Sequence, residues 1–475
     1  MKITDLTPYD RHLLLAYRDR LLKEHLPGFI SQAFSTVNPG TDYLPNWHID
    51  LIADYLEAVR RSEITRLIVN MPPRALKSVC VSVAWPAWLL GHDPACRIMC
   101  ASYSQALAIR HALDTRLILG EPWYERLFPD TRIVPGENEK KKIVTTARGF
   151  RFATSVGGTA TGEGGDVLIV DDPLNPVQAA SATQRERANQ WFDQTFSTRL
   201  NDKKRGRIVV VMQRLHAQDL SGHLLEQGGW EQLLLPAIAE RRTVIGCGGK
   251  KFTRREGSIL HPEREDAQAL ERARQQLGSY GFAAQYQQSP LAAEGAMIQA
   301  QWLVRYRDAP QDFTRITQSW DTAIKAASSN DASVCITFGE REGMHYVLDV
   351  LSLRAEYPAL KRALVAQAAR WQPQAVLVED KASGQSLLQD ARRETNLPLI
   401  ARLPRQDKLT RVAACSAMIE AGKLALPHHA PWLAAFEEEL LAFPNAAHDD
   451  QVDALSQYLL WVRERGGMSA SLRTL

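Results

Sequence analysis

The chain has no CxxC pair. Its six cysteines (Cys80, Cys96, Cys100, Cys247, Cys335 and Cys415) are scattered along 475 residues, which excludes a disulfide framework or a zinc ribbon and suits a reducing compartment. Long apolar runs are missing too. The longest, Val79–Leu90, is too short to span a bilayer and contains Pro86. The opening MKITDLTPYDRH brings in acidic residues early and is not expected to act as a secretion signal. Charge of one sign is scarce: the net charge is +3, too small to argue nucleic-acid binding from the total. Basic clusters at Lys140–Lys142, Lys203–Arg207 and Lys250–Arg255 read first as solvated loops. There is no internal repeat and no low-complexity tract. What remains, 45% hydrophobic and 23% charged residues, is the balance of an ordinary soluble globular protein, and the length predicts two or three domains.

From Ile64 to Val211, short β-rich runs alternate with helical stretches. The runs are TRLIVNM (65–71), CRIMCAS (96–102), GFRFATS (149–155), DVLIVDD (166–172) and GRIVVVM (206–212), with helices over Ser104–Leu119 and Thr183–Leu200. Continuous Ile, Val and Leu predict strands buried on both faces, hence an α/β domain with a mostly parallel sheet. Residues 231–295, with Pro236, VIGCGGKK and a polar helix over Ala267–Leu277, read as a connector. Beyond it come strands at 316–324, 332–340 and 345–353, the last two joined as an antiparallel hairpin by Arg341–Met344. A helix (Pro358–Trp371), strand (375–380), helix (Gln385–Arg393), strand (398–403) and helices to Arg465 follow. The order βββαβαβα predicts an RNase H-like domain with a mixed sheet. The expected division is therefore 1–230, 231–295 and 296–475.

Two groups of residues carry chemistry. In LIVN-MPPRALKS-VCVSV, a strand enters a loop that ends in Lys77 and Ser78 at a helix start. A phosphate-binding loop needs this arrangement: backbone N–H groups and the helix N-terminus hold phosphates, the lysine reaches their oxygens and the hydroxyl binds Mg²⁺. The usual glycines are absent, with Leu76 and Met71 in their places. Some ninety residues on, an apolar strand ends in Asp171 and Asp172, suited to hold the Mg²⁺ shell and to orient or deprotonate the attacking water. Gln213 and Arg214 end a third strand, where a motor places a polar sensor or a core strand simply stops. Trp47 either lies beside an adenine or fills the core.

The second group is acidic. Asp321 lies within the strand ITQSWDTAI, Glu379 and Asp380 end AVLVED, and Asp449, Asp450 and Asp453 open a helix. Asp450 with Asp453 (i, i+3) and Asp449 with Asp453 (i, i+4) both share a helix face, so spacing does not choose between them. A strand aspartate is costly to bury unless paired or metal-bound, and gathered carboxylates repel one another unless divalent cations intervene. Two such ions would activate water and stabilise the leaving oxygen of a phosphodiester.

Taken together, MPPRALKS, GGTATGEGGDVLIVDDP, VVVMQRLHAQDLSG, SWDTA, VEDKASGQSLLQ and HDDQVDALSQ resemble the large terminase subunit of tailed bacteriophages, from about Leu44 to the end. The resemblance implies an N-terminal P-loop (ASCE-type) ATPase that drives DNA into a preformed capsid, and a C-terminal RNase H-like endonuclease that cuts concatemeric DNA. It implies ATP and Mg²⁺, with Mn²⁺ as a substitute. The implied partners are double-stranded DNA, the portal and procapsid, a small terminase subunit, and further copies in a ring on the portal. No membrane is involved. The place of action is the host bacterial cytoplasm and transiently the procapsid, for a phage or a prophage.

Carried over by residue, Lys77 and Ser78 match the phosphate-loop pair, and Arg74 a basic loop residue that senses the γ-phosphate. Asp171 and Asp172 match the acidic strand end. Asp321, Glu379 and Asp450 match the nuclease metal ligands. Asp453 is a fourth by similarity to junction resolvases, with Asp449 as its competitor. Leu76 departs from the family's glycine: its side chain would crowd the loop if that position takes φ > 0, so weakened ATP hydrolysis is expected. Two other readings fit the same residues. One is a DNA repair or recombination ATPase-nuclease, and the other a prophage-derived DNA-binding component with an impaired ATPase.

Overall fold

The computed structural model describes residues 7–135, 140–158, 162–179, 181–290, 297–322, 332–380, 382–404, 407–444 and 448–471. The chain divides into two units, Met1–Leu270 with Ala283–Pro290, and Glu271–Phe282 with Leu291–Leu475. Among the described residues no helix is long and apolar enough to cross a membrane.

The first unit is built on β1 (Arg66–Asn70), β2 (Arg97–Ser102), β3 (Lys142–Val144), β4 (Phe150–Ser155), β5 (Val167–Asp171), β6 (Arg207–Met212) and β7 (Glu231–Leu234). They form one sheet in the order β3-β4-β2-β5-β6-β1-β7. Every pairing is parallel except β3 against β4. Successive residues of the central strands serve opposite faces. Leu67, Val69, Val167, Ile169, Val209 and Val211 join one core, while Ile68, Leu168, Val170, Ile208, Val210 and Met212 join another. This explains the unbroken apolar runs. The short edge strands β3 and β7 had no such signature, and β7 draws part of the expected connector into this sheet. The same stretch adds a hairpin, β8 (Thr243–Cys247) with β9 (Lys250–Arg254).

Helix ends follow their capping residues. Ser104 accepts from the Leu107 amide at 3.3 Å and starts the helix Gln105–Leu119. The helix expected over Thr183–Leu200 is regular only across Ala182–Trp191 and then widens into a π turn at Phe192–Phe196. The wider turn aligns residues five apart, and Trp191 stacks on Phe196 at 4.8 Å. The helix expected at Ala267–Leu277 runs to Gln285 across a break at Gly278.

In the second unit, β10 (Val304–Tyr306), β11 (Arg315–Asp321), β12 (Ser333–Arg341), β13 (Met344–Leu353), β14 (Ala375–Glu379), β15 (Leu399–Arg402) and β16 (Leu424–Pro427) form a mixed sheet, ordered β10-β16-β13-β12-β11-β14-β15. β11, β12 and β13 are antiparallel neighbours. β14 and β15 add in parallel beside β11. Glu342 (φ 50°) and Gly343 (φ 77°) close the β12–β13 hairpin; positive φ at both central residues suits the twist of the strands. β10 and β16, of three and four residues, lie where the sequence pattern read as loop and helix.

The helix Asp450–Ser471 covers one face of this sheet through Val452, Leu455, Tyr458 and Leu459. The Gln457 amide donates to Ser319 Oγ at 2.9 Å and to the Trp320 carbonyl at 3.2 Å. Tyr458 stacks on Phe338 with centroids 3.7 Å apart. Glu439 accepts from the Gln451 and Val452 amides at 2.6 and 3.1 Å, placing a carboxylate against the positive end of the helix. Across the strand end, Gly384 packs so closely that a Cβ there would lie 1.7 Å from the Glu379 carbonyl oxygen. Gly384→Ala is therefore expected to lower the unfolding free energy of the second unit by about 1–3 kcal/mol in urea melts; an unchanged melt would contradict this packing.

Candidate functional site

β1 runs into the loop that precedes Lys77, and two loop residues without a glycine's freedom take left-handed conformations, Arg74 at φ 62° and Leu76 at φ 64°. Each costs roughly 1–2 kcal/mol. The surroundings hold the shape. The Leu76 side chain packs on the core, and its carbonyl accepts from Cys80 N at 3.0 Å. Between the two strained residues, the Ala75 carbonyl lies 3.3 Å from Nε2 of the fully buried His48. Asn46 donates its amide to His48 Nδ1 and to the Leu260 carbonyl, both at 2.6 Å. A single neutral tautomer, with the proton on Nε2, satisfies all these contacts. Burial is the largest cause that drives the His48 pKa down to about 4, and the charges of Arg254 and Arg264 add to it.

β5 and β1 flank β6, so the acidic strand end and the loop meet at the carboxyl edge of the sheet, where α/β folds bind ligands. Ser78 Oγ donates to Asp171 Oδ1 at 3.1 Å, and Lys77 Nζ lies 2.9 Å from Asp172 Oδ2. Asp172, itself at φ 43°, also accepts from the Gln213 amide at 3.2 Å. Burial raises the pKa of both carboxyls, opposed mainly by Lys77. Asp171 Oδ2 is buried without a hydrogen-bond partner; His111 Nδ1 lies 3.6 Å away, but burial pushes that imidazole down to about 4. Lys77, Ser78, Asp171 and Asp172 thus come together, while Arg74 is exposed. Arg214 is committed to Asp219, at 3.0 and 3.1 Å to its two oxygens. Trp47 packs against Phe252 and Arg254.

In the second unit, Trp320 and Val378 are paired across β11 and β14. Asp321 and Glu379 follow them, on the opposite face from those core residues and on the side that the helix Asp450–Ser471 covers. The Asp321 pKa is pushed well above the ordinary carboxylate range. Burial is the first cause, followed by repulsion from Asp453, Glu379 and Asp450, with Lys408 opposing. These four carboxylates therefore share one electrostatic site. Asp450 accepts from the Ala332 amide at 3.3 Å. Asp449 joins through Lys408, whose ammonium lies 2.6 Å from Asp449 Oδ1 and 2.8 Å from Asp453 Oδ2. Arg411 holds the other Asp453 oxygen at 2.5 Å. Burial works against the Lys408 charge, but the two aspartates outweigh it and raise its pKa. Among the described residues, no three or more His, Cys, Asp or Glu side chains form a group that could hold a metal ion.

Sequence reasoning did not single out His48, Lys408 or Arg411. The spacing of Lys408 and Arg411 puts them on one helix face, but nothing local says that this face meets an acidic cluster. Of the quoted motifs, residues 159–161, 323–324, Lys381 and 445–447 lie outside the described residues.

Residues 318–460 match the family model of the terminase RNaseH-like domain. This segment is a terminase RNase H-like domain. It contains Asp321, Glu379, Lys408 and the Asp449–Asp453 turn. Over the whole chain the fold is similar to the large terminase of a thermophilic bacteriophage, with a TM-score of 0.51 and 11% identity over 85% of this chain and 97% of that one. The HK97 bacteriophage large terminase aligns at a TM-score of 0.38 and 13% identity, over 92% and 99% of the two chains. The large terminase nuclease of a second thermophilic phage, G20c, with bound magnesium, aligns at 0.29 and 15%, over 35% and 98%. No curated protein matches the chain. The resemblance to large terminases holds, by family over the terminase domain and by fold over the chain. The expected fold class, a mostly parallel α/β unit followed by an RNase H-like unit with a mixed sheet, holds as well.

His48 supplies a pH signature for the loop. Its pKa falls from 6.5 to about 4 on folding, so its contribution to stability is complete above pH 6.5 and is lost as the pH drops towards 4. Relative to His48→Gln, the wild-type advantage in unfolding free energy is expected to shrink by about 1.4 kcal/mol per pH unit through that window. A pH-independent difference would refute the buried neutral imidazole.

Proposed function

We propose that this chain is a DNA-packaging motor-nuclease: an ATPase that translocates double-stranded DNA into a procapsid, joined to an endonuclease that cuts concatemeric DNA. The observation that carries the reading is the electrostatic meeting of Asp321, Glu379, Asp450 and Asp453 within the terminase domain. Residues 1–230 form the motor, 231–295 the connector and 296–475 the nuclease. Its partners are DNA, the portal, a small terminase subunit and further copies in a ring, within the bacterial cytoplasm.

In the motor, the residues fit Mg²⁺·ATP. Ser78 and the orphaned Asp171 oxygen are the pair that would hold the ion, which supplies charge neutralisation for the phosphates. Lys77 is held by Asp172 and turns to phosphate oxygens when nucleotide enters, freeing Asp172 to orient or deprotonate the attacking water. Arg74, exposed on the loop, is placed to sense the terminal phosphate. In the nuclease, Asp321, Glu379 and Asp450, with Asp449 and Asp453 alongside, offer an all-oxygen donor set of excess negative charge. That chemistry suits Mg²⁺ or Mn²⁺; a bound ion there would supply Lewis acidity and lower the pKa of water. The protein's own part is to hold the carboxylates at the ends of two parallel strands and one helix.

Full-length protein with Mg²⁺ or Mn²⁺ is expected to nick plasmid DNA, and Asp321→Ala or Asp450→Ala to abolish the cleavage. Persistent cleavage by both variants would sink the nuclease assignment. Leu76→Gly removes the left-handed strain at that residue and is expected to raise steady-state ATP turnover, by no more than about tenfold for strain of this size. Equal turnover by the two proteins would show that Leu76 does not limit the motor.

A further inference from the structure

We propose that Lys408 is a built-in counter-cation of the nuclease centre. Its ammonium occupies the carboxylates at the start of the helix Asp450–Ser471, and a divalent ion binds only as that lysine leaves. The inference rests on the metal-site reading above.

Lys408 opens the helix Lys408–Glu420, whose start is fixed by Asp407 accepting from the Thr410 amide at 2.9 Å. From there its ammonium bridges Asp449 Oδ1 at 2.6 Å and Asp453 Oδ2 at 2.8 Å. One turn on, Arg411 takes the remaining Asp453 oxygen. The two cations differ in freedom. The Arg411 side chain is 7% exposed, whereas that of Lys408 is 44% exposed. A rigid, buried guanidinium belongs to the frame, while a compact ammonium on a flexible stem beside solvent can be exchanged. Charge supports the exchange. Asp321, Glu379, Asp449, Asp450 and Asp453 outnumber Lys408 and Arg411, and the repulsion at Asp321 shows that the two cations leave negative charge uncompensated. Replacing a single positive charge by a divalent ion relieves more of that repulsion, at the cost of two ion pairs. Lys408 thereby weakens the resting affinity of the centre for metal. Once displaced, its ammonium stands free at the edge of the site, where a phosphodiester approaches.

The test is calorimetric titration of Mn²⁺ into the full chain, comparing wild type, Lys408→Met, Lys408→Arg and Asp321→Asn. Lys408→Met is expected to bind Mn²⁺ about tenfold more tightly than wild type, the order of two partly exposed ion pairs, and to melt at a lower temperature without metal. Lys408→Arg, which keeps a cation, is expected to stay near the wild-type affinity, and Asp321→Asn to lose the binding. Lys408→Gln provides the same comparison in a side chain that still donates to the aspartates, should the methionine variant not fold. Loss of binding in Asp321→Asn with unchanged or weaker binding in both neutral Lys408 variants would overturn the counter-cation while leaving the metal site standing. Wild-type binding in Asp321→Asn would overturn the site reading, and the counter-cation with it.

Discussion

A carboxylate drawn into a protein at the end of a buried strand must have positive charge at hand, and both units are organised by that requirement. In the first, Asp171 and Asp172 close β5, burial raises their proton affinity, and Lys77 from the neighbouring loop is the principal opposing charge. In the second, Asp321 and Glu379 close β11 and β14, and Lys408 and Arg411 from a separate helix supply the compensation. In each case a lysine supplies part of the compensating charge, and lysine is the residue whose point charge and flexible stem make exchange easy. Such a site is stable when empty and still has reason to accept a more highly charged ligand.

The phosphate-type loop shows a different way to reach a required backbone shape. Glycine reaches left-handed conformations at little cost, whereas here Arg74 and Leu76 adopt them with side chains in place. The shape persists because it is over-determined: Leu76 is anchored in the core, the helix begins at Lys77, and His48 holds the intervening carbonyl. His48 in turn depends on Asn46, so a segment that carries no phosphate chemistry of its own sets the geometry of the one that does. A loop held in this way exchanges flexibility for side-chain packing.

Much of this was legible in the order of residues. Strands buried on both faces leave unbroken runs of Ile, Val and Leu, so β1, β2, β5 and β6 could be read within a residue or so of their ends, and the hairpin β12–β13 declared itself by alternation around a short polar turn. Edge strands did not. β3, β7, β10 and β16 are three or four residues long and gain their hydrogen bonds from a partner strand, and short pieces of that kind have no period of their own. The π turn at Phe192–Phe196 was equally hidden, because it answers to the stacking of Trp191 on Phe196 rather than to helix propensity.

The chemistry divides along the same line. The residue order by itself determined which side chains are available: a lysine and a serine after one strand, a pair of aspartates after another, and acidic residues at strand and helix ends in the sequence of an RNase H-like domain. Those features are local, since each depends on neighbours a few residues away. Only the tertiary structure decided which charges meet. Lys408 faces Asp449 and Asp453 from 41 and 45 residues away in the chain, and His48 meets Ala75 from 27. A Coulomb or hydrogen-bond partner is chosen by distance in space, and folding sets that distance without leaving a mark at either position in the chain.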